Sequence, residues 1–274
     1  MTPIGSGKKT DKLIYFVGAG PGDPELITIK GKRLLSEADV VVYAGSLVNP
    51  SLLELCRKEA ELIDSALLDL DGIMEVLTGS ARAGKRVVRL HSGDPSLYGA
   101  IGEQMQMLQA AGVGYEVVPG VSSLAACAAA LKVELTAPGV SQTVIITRAA
   151  GRTPVPESED IARLAEHGST MAVFLSAGIA GEVQEKLLEH YGPETPAAVV
   201  KRASWPDQEF IRTTVGSLAS DIKAAGIDRS ALILVGGALA GEGGESLLYD
   251  RDFSHGFRQA DEPEGGEGGG RRDG

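Results

Sequence analysis

Short apolar runs recur along this chain, separated by helix-patterned stretches, and no other feature constrains its fold as much. Runs at 13–17, 40–43, 86–90 and 115–118, and again at 143–147, 170–175, 197–201 and 231–235, show no clean polar alternation. Strands covered on both faces read this way. Helical patterns fill 30–37, 52–58, 179–190 and 218–225. The expectation is an α/β protein of two lobes, each made of βα units around a mainly parallel sheet. The predicted divisions are an N-terminal segment 1–12, a first α/β lobe 13–121, a second α/β lobe 122–240, and a tail 241–274. The tail is rich in glycine and acidic residues with almost no periodic apolar pattern, and reads as disordered.

Charge and cysteine usage narrow the function classes. A formal net charge of −11 supplies no basic field for DNA or RNA, so any anionic ligand must find local arginines. Cys56 and Cys127 are too few for a disulfide framework and lack zinc-site spacing. His91, His167, His190 and His255 are too dispersed for a metal site, and no metal is expected. No apolar run reaches the roughly 20 residues of a membrane helix, and the start lacks a signal-peptide core, so a cytoplasmic location is expected.

The chemistry-bearing motifs stand where apolar runs end. The first run leads into Gly18-Ala19-Gly20-Pro21-Gly22-Asp23-Pro24, either a tight turn or a ligand loop. A dinucleotide fingerprint requires a third glycine where Asp23 stands and a helix where prolines intervene. Walker-like segments at 79–86 and 5–10 lack the final Ser or Thr, or the preceding strand, and bind no phosphate on this reading. The third run ends in His91-Ser92-Gly93-Asp94-Pro95-Ser96-Leu97-Tyr98-Gly99. There Asp94 either meets a ligand's hydroxyls or caps its own backbone in an Asx-turn. Another run ends in Pro119-Gly120-Val121-Ser122-Ser123, where Ser122 or Ser123 is a natural cap for the small-residue helix that follows.

The segments FVGAGPGDPELITIKG, DVVVYAGSLV, RLHSGDPSLYGA, VPGVSS, TMAVFLSAG and VKRASWPDQ together resemble the tetrapyrrole methyltransferase family, the class III S-adenosylmethionine (SAM) enzymes of cobalamin and sirohaem synthesis. The resemblance covers residues 13 to about 240. Within the family, YAGSLV, HSGDPSLYGA and SQTVIITRAAGRTPVPE look most like the branch that methylates C11 of precorrin-4. The resemblance implies a homodimer of bilobal subunits, with SAM in the cleft between lobes, a tetrapyrrole beside it, and S-adenosylhomocysteine as product. It carries SAM contacts onto Pro21, Ser92, Gly93, Asp94, Leu97, Ser122 and Ser123, and from the second lobe onto Leu175, Ala203 and Ala231.

Beside that implied site, Arg148, Arg152 and Arg202 are the candidate rim for substrate carboxylates, because guanidinium forks suit them. The uroporphyrinogen branch has an acidic residue in Tyr-Asp-x-Leu-Val, whereas this chain has Tyr43-Ala44-Gly45-Ser46-Leu47-Val48. That departure argues against the uroporphyrinogen substrate and leaves the general base without a residue beyond the weak candidate Asp94. The alternatives are the cobalt-containing precorrin-4, a nicotinamide-dependent oxidoreductase, and a non-catalytic SAM-binding protein.

Overall fold

The structure, a computed structural model, describes residues 13–241, 243, 246, 253–254 and 256–259. The segment 1–12, most of the expected tail, and His255 lie outside the described residues.

The first sheet contains β1 (Leu13–Gly18), β2 (Val40–Tyr43), β3 (Glu61–Asp64), β4 (Val87–His91) and β5 (Gly114–Val118). Its order is β3-β2-β4-β1-β5, with every pairing parallel. Residues alternate between its faces. On one side Ile14, Phe16, Val40, Val42 and Val87 pack beneath α2 (Leu70–Arg82) and α3 (Ile101–Ala110). On the other, Val17, Val41, Val88 and Leu90 meet Leu34 and Leu35 of α1 (Ile29–Glu37). Local chemistry starts α1 and α2: Thr28 Oγ1 accepts from Gly31 N at 3.0 Å, and Asp69 Oδ1 from Gly72 N at 2.8 Å.

The connection leaving β1 and the one leaving β4 run over opposite faces, in opposite directions along the sheet. Such divergence opens a crevice beyond the carboxyl ends of the strands, where α/β sheets bind ligands.

The second sheet corrects the expectation of parallel strands in both halves. It contains β6 (Val144–Arg148), β7 (Thr170–Phe174), β8 (Pro196–Lys201), β9 (Glu209–Thr214) and β10 (Ala231–Val235), in the order β6-β7-β10-β8-β9. Only β6 and β7 run parallel; β10 is antiparallel to β7 and β8, and β8 to β9. The turn 202–208 between β8 and β9 is too short for a crossover, which needs a dozen or more residues, so a hairpin results. One face packs Met171, Val173, Val199 and Ile233 under α5 (Ile161–Ala165), α6 (Ala180–Leu188) and α7 (Leu218–Ala224). The other packs Ala172, Ala198, Val200 and Leu234 against Ala126, Cys127 and Leu131 of α4 (Ser123–Leu131). Thus α4 enters from the first sheet's last strand and covers the second sheet.

Two local expectations also change. The helix expected at 52–58 is a 3-10 segment, Pro50–Leu55, that buries only Leu52, because six residues offer no helical stripe to the core. The strands β3 and β9 carry charged or exposed residues at sheet edges, and the apolar-run criterion passes over them.

Candidate active site

Three loops of the first lobe meet with almost no space between their backbones. Ala19 N donates to His91 O at 2.7 Å, and Gly93 N donates to Gly20 O at 2.8 Å. A β-carbon on Gly120 would lie 2.1 Å from Gly93 O, and one on Gly18 would lie 2.5 Å from Gly120 Cα. Glycine at 18 and 120 is therefore a packing requirement. Gly93 differs: its φ is +63°, and a β-carbon there would find nothing nearer than 3.8 Å. Its missing side chain leaves open space.

Asp94 fastens these loops. One carboxylate oxygen accepts from Ser96 N at 2.8 Å and from Ser96 Oγ, and the other accepts from Gly120 N at 2.9 Å. The Asx-turn reading therefore describes its geometry. Burial works to raise the carboxyl's pKa, but the bonds from Ser96 and Gly120 outweigh it and hold the group below its ordinary value. Ser122 provides the helix cap, its Oγ accepting from Leu124 N at 3.2 Å at the start of α4.

Between the lobes lies a cleft of about 1040 Å³, part of it open to solvent. Pro21, Ser92, Gly93, Asp94, Leu97, Ser122 and Ser123 line it from the first lobe, and Leu175, Ala203 and Ala231 from the second. The structure thus brings together all ten residues expected to hold SAM. Its open flank at Gly93, free helix-start amides near Ser122 and Ser123, and apolar walls at Leu97 and Leu175 fit an amphipathic cofactor of that kind.

Backbone strain marks the same place. Seven non-glycine residues among those described have positive φ, and Tyr98, Leu175, Arg202 and Ser230 line the cleft. Ala100 and Ser204 adjoin lining segments, and Lys132 closes α4. Each such residue costs of order 1–3 kcal/mol, and clusters of them belong to functional sites.

The candidate arginines separate. Arg202 lines the cleft; its Nε donates to Asp207 Oδ1 at 2.7 Å, and its guanidinium carbon sits 3.8 Å from the Trp205 ring centroid. Arg148 instead donates to three carbonyls, of Ala149, Thr153 and Pro154 at 3.2, 3.1 and 2.8 Å, and so staples its own loop. Arg152 is exposed on that loop, and neither residue is part of the cleft wall.

Residues passed over by sequence reasoning include Ser46, Leu47, Tyr98, Cys127, Phe174 and Trp205. Tyr98 and Phe174 come from different lobes and pair with ring centroids 5.2 Å apart. All but Cys127 fall within or beside quoted motifs, and that adjacency was the available signal.

Behind the Ser92–Asp94 loop, His91 is 4% exposed and its pKa is depressed to about 3, first by burial and then by the nearby Arg89. Its folded-state pKa lies below its unfolded value, so the neutral imidazole contributes stability that is complete above about pH 6.5 and is lost as pH falls toward 3. We expect unfolding free energy to fall by up to about 1.4 kcal/mol per pH unit in that window from this group. Urea melts of wild type and His91→Gln across pH 4–7 check it: the wild-type slope should exceed the variant's, and equal slopes would refute the assignment.

Comparison with known proteins gives this geometry its context. The profile of the tetrapyrrole (corrin/porphyrin) methylases matches residues 13–219. The chain belongs to the tetrapyrrole methylase family. This methylase is 52% identical to the cobalt-precorrin-4 C(11)-methyltransferase of Methanocaldococcus jannaschii, over 91% of its own chain and 97% of that protein. It is 51% identical to the precorrin-4 C(11)-methyltransferase of Pseudomonas aeruginosa, over 89% and 98%. Among solved structures, a cobalt precorrin-4 methyltransferase of cobalamin biosynthesis superposes with a TM-score of 0.82 at 47% identity, covering 84% of this methylase and 96% of that chain. A uroporphyrin-III C-methyltransferase from Thermus thermophilus complexed with S-adenosylhomocysteine gives 0.70 at 32% identity, covering 82% and 92%.

Proposed function

We propose that this methylase transfers the methyl group of SAM to C11 of precorrin-4, giving precorrin-5 and S-adenosylhomocysteine. The observation that carries the reading is the convergence of all ten expected SAM residues on one inter-lobe cleft. The names of relatives near 50% identity support the acceptor and the ring position. Those names include metal-free and cobalt-containing precorrin-4 at nearly equal identity, so the cobalt form stands as a second reading. The proposal extends to a cytoplasmic homodimer; no helix among the described residues is long and apolar enough to cross a membrane.

Bound SAM supplies a sulfonium methyl, an electrophile that is already activated. The residues' task is then alignment, which in favourable geometries contributes several kcal/mol to lowering a barrier. Ser92–Asp94 and Ser122–Ser123 hold the cofactor from the first lobe, while Leu175, Ala203 and Ala231 hold it from the second. Leu97, Tyr98, Phe174 and Leu175 present apolar surface that limits water. Asp94 serves to hold two loops, since both its oxygens already accept hydrogen bonds and its lowered pKa makes it a weak proton acceptor. Arg202 supplies the cation facing an acceptor that carries several carboxylates.

The test is incubation of purified enzyme with SAM and each form of precorrin-4, following the product by mass spectrometry, alongside calorimetry with S-adenosylhomocysteine and NAD. Gain of one methyl with either acceptor supports the activity and selects the metal state. Binding of NAD without S-adenosylhomocysteine would overturn it.

A further inference from the structure

The chain contains one tryptophan. Trp205 stands in the β8–β9 turn of the second lobe and reaches the glycine-rich turn of the first. Its Nε1–H donates to Pro21 O at 2.8 Å. A β-carbon on Gly22 would lie 2.1 Å from Trp205 Cδ1, so the indole fills the volume any other residue at 22 would need. Beside it, Asp23 N donates to Ser204 Oγ at 3.0 Å, a second bond between the same two loops. From behind, Asn49 Nδ2 donates to Gly22 O at 2.8 Å and fixes the first-lobe turn. The face of the indole also carries the Arg202 guanidinium, whose Nε donates to Asp207.

These contacts explain how a strained turn persists. Arg202 has φ +48° and Ser204 φ +67°, conformations kept only where surroundings over-determine them. Tryptophan suits the position because it offers a broad apolar face and a single N–H donor on one rigid frame. Between the strained residues lies Ala203, buried and part of the cleft wall, while Pro21 lines the cleft from the other lobe.

We propose that Trp205 is a positioning residue: it latches the two lobes at the cleft, sets the separation of Pro21 from Ala203, and aims Arg202. The inference rests on the reading of this cleft as the SAM site, but the latch itself has a test that does not.

That test is a thermodynamic cycle on the full chain. Gly22→Ala and Trp205→Ala should each lower thermal stability, and in the Trp205→Ala background Gly22→Ala should cost almost nothing, because the clash partner is gone. Additive effects would overturn the latch. Trp205→Phe keeps an aromatic ring but loses the indole N–H and its bond to Pro21. It should weaken S-adenosylhomocysteine binding by up to about 10-fold, bounded by what a single neutral hydrogen bond is worth, and raise KM for SAM more than it lowers kcat, with a smaller fall in melting temperature than Trp205→Ala. A merely structural tryptophan would lower stability and leave S-adenosylhomocysteine affinity and the KM-to-kcat balance unchanged. In wild type, emission from this sole tryptophan should change on adding S-adenosylhomocysteine and saturate with the calorimetric Kd. Wild-type affinity in both Trp205→Phe and Trp205→Ala, or emission that ignores a ligand calorimetry detects, would overturn the positioning role. Should wild type bind no S-adenosylhomocysteine, the SAM reading fails, and the stability cycle alone upholds or overturns the latch.

Discussion

Replacing Gly93 by valine should weaken SAM binding by at least about 100-fold while leaving a folded protein. The glycine sits at φ +63°, and a β-carbon would have no neighbour within 3.8 Å. A valine there meets two separate costs. A β-branched residue in left-handed backbone loses roughly 1–2 kcal/mol, which lowers the melting temperature of a chain this size by about 2–8 °C. Its methyl groups would also project beside Ser122 and Ser123 at the cleft, removing volume from the ligand; about 2.7 kcal/mol suffices for the 100-fold loss. Gly120→Val is the contrast. Its β-carbon would fall on Gly93 O, so it should disrupt the loop junction and the fold with it. Circular dichroism with calorimetry on both variants separates the outcomes, and a folded Gly93→Val protein with wild-type SAM affinity would refute the cleft assignment.

How far this site was legible in the sequence follows from the range of the interactions that build it. The strands β1, β2 and β4 are largely buried on both faces, while β5 at the sheet edge is half-buried, and the apolar runs located all four to within a residue. The glycine and serine motifs at their ends were equally visible as residue types, although the need for glycine at 18 and 120 comes from contacts between separate loops that sequence does not show. The orientation of the second sheet was hidden, since it depends on recognising β9, an edge strand whose polar residues break the apolar pattern. The bond from Trp205 to Pro21 spans 184 positions, and nothing local to either residue announces the other. Arg148 shows the opposite limit. A cation after a strand end looks available for a ligand until three carbonyls of its own loop are seen to occupy it.

That difference among arginines leads to the second large expected effect, in Arg202→Ala. Of the three candidates, only Arg202 lines the cleft. Its Nε is engaged by Asp207, which fixes the plane of the guanidinium, and among the described residues its terminal nitrogens make no hydrogen bond to protein while its face rests on the Trp205 ring. A carboxylate of the acceptor arriving there would gain a charge-assisted fork with little side-chain entropy left to lose. Loss of such a contact costs roughly 1.5–3 kcal/mol, which raises the apparent KM for the tetrapyrrole by about 10- to 150-fold. The lower figure applies if water screens the pair, and added salt should then weaken wild-type substrate binding as well. SAM affinity should change far less. Arg152→Ala should leave tetrapyrrole KM within about 3-fold of wild type, because that residue stands exposed on its loop away from the cleft wall. Arg148→Ala should instead lower thermal stability, as its three carbonyl partners lose their donor. Steady-state kinetics on the three variants decides the matter: unchanged tetrapyrrole KM in Arg202→Ala, with a large rise in Arg152→Ala, would move the anion-binding rim to the 149–154 loop.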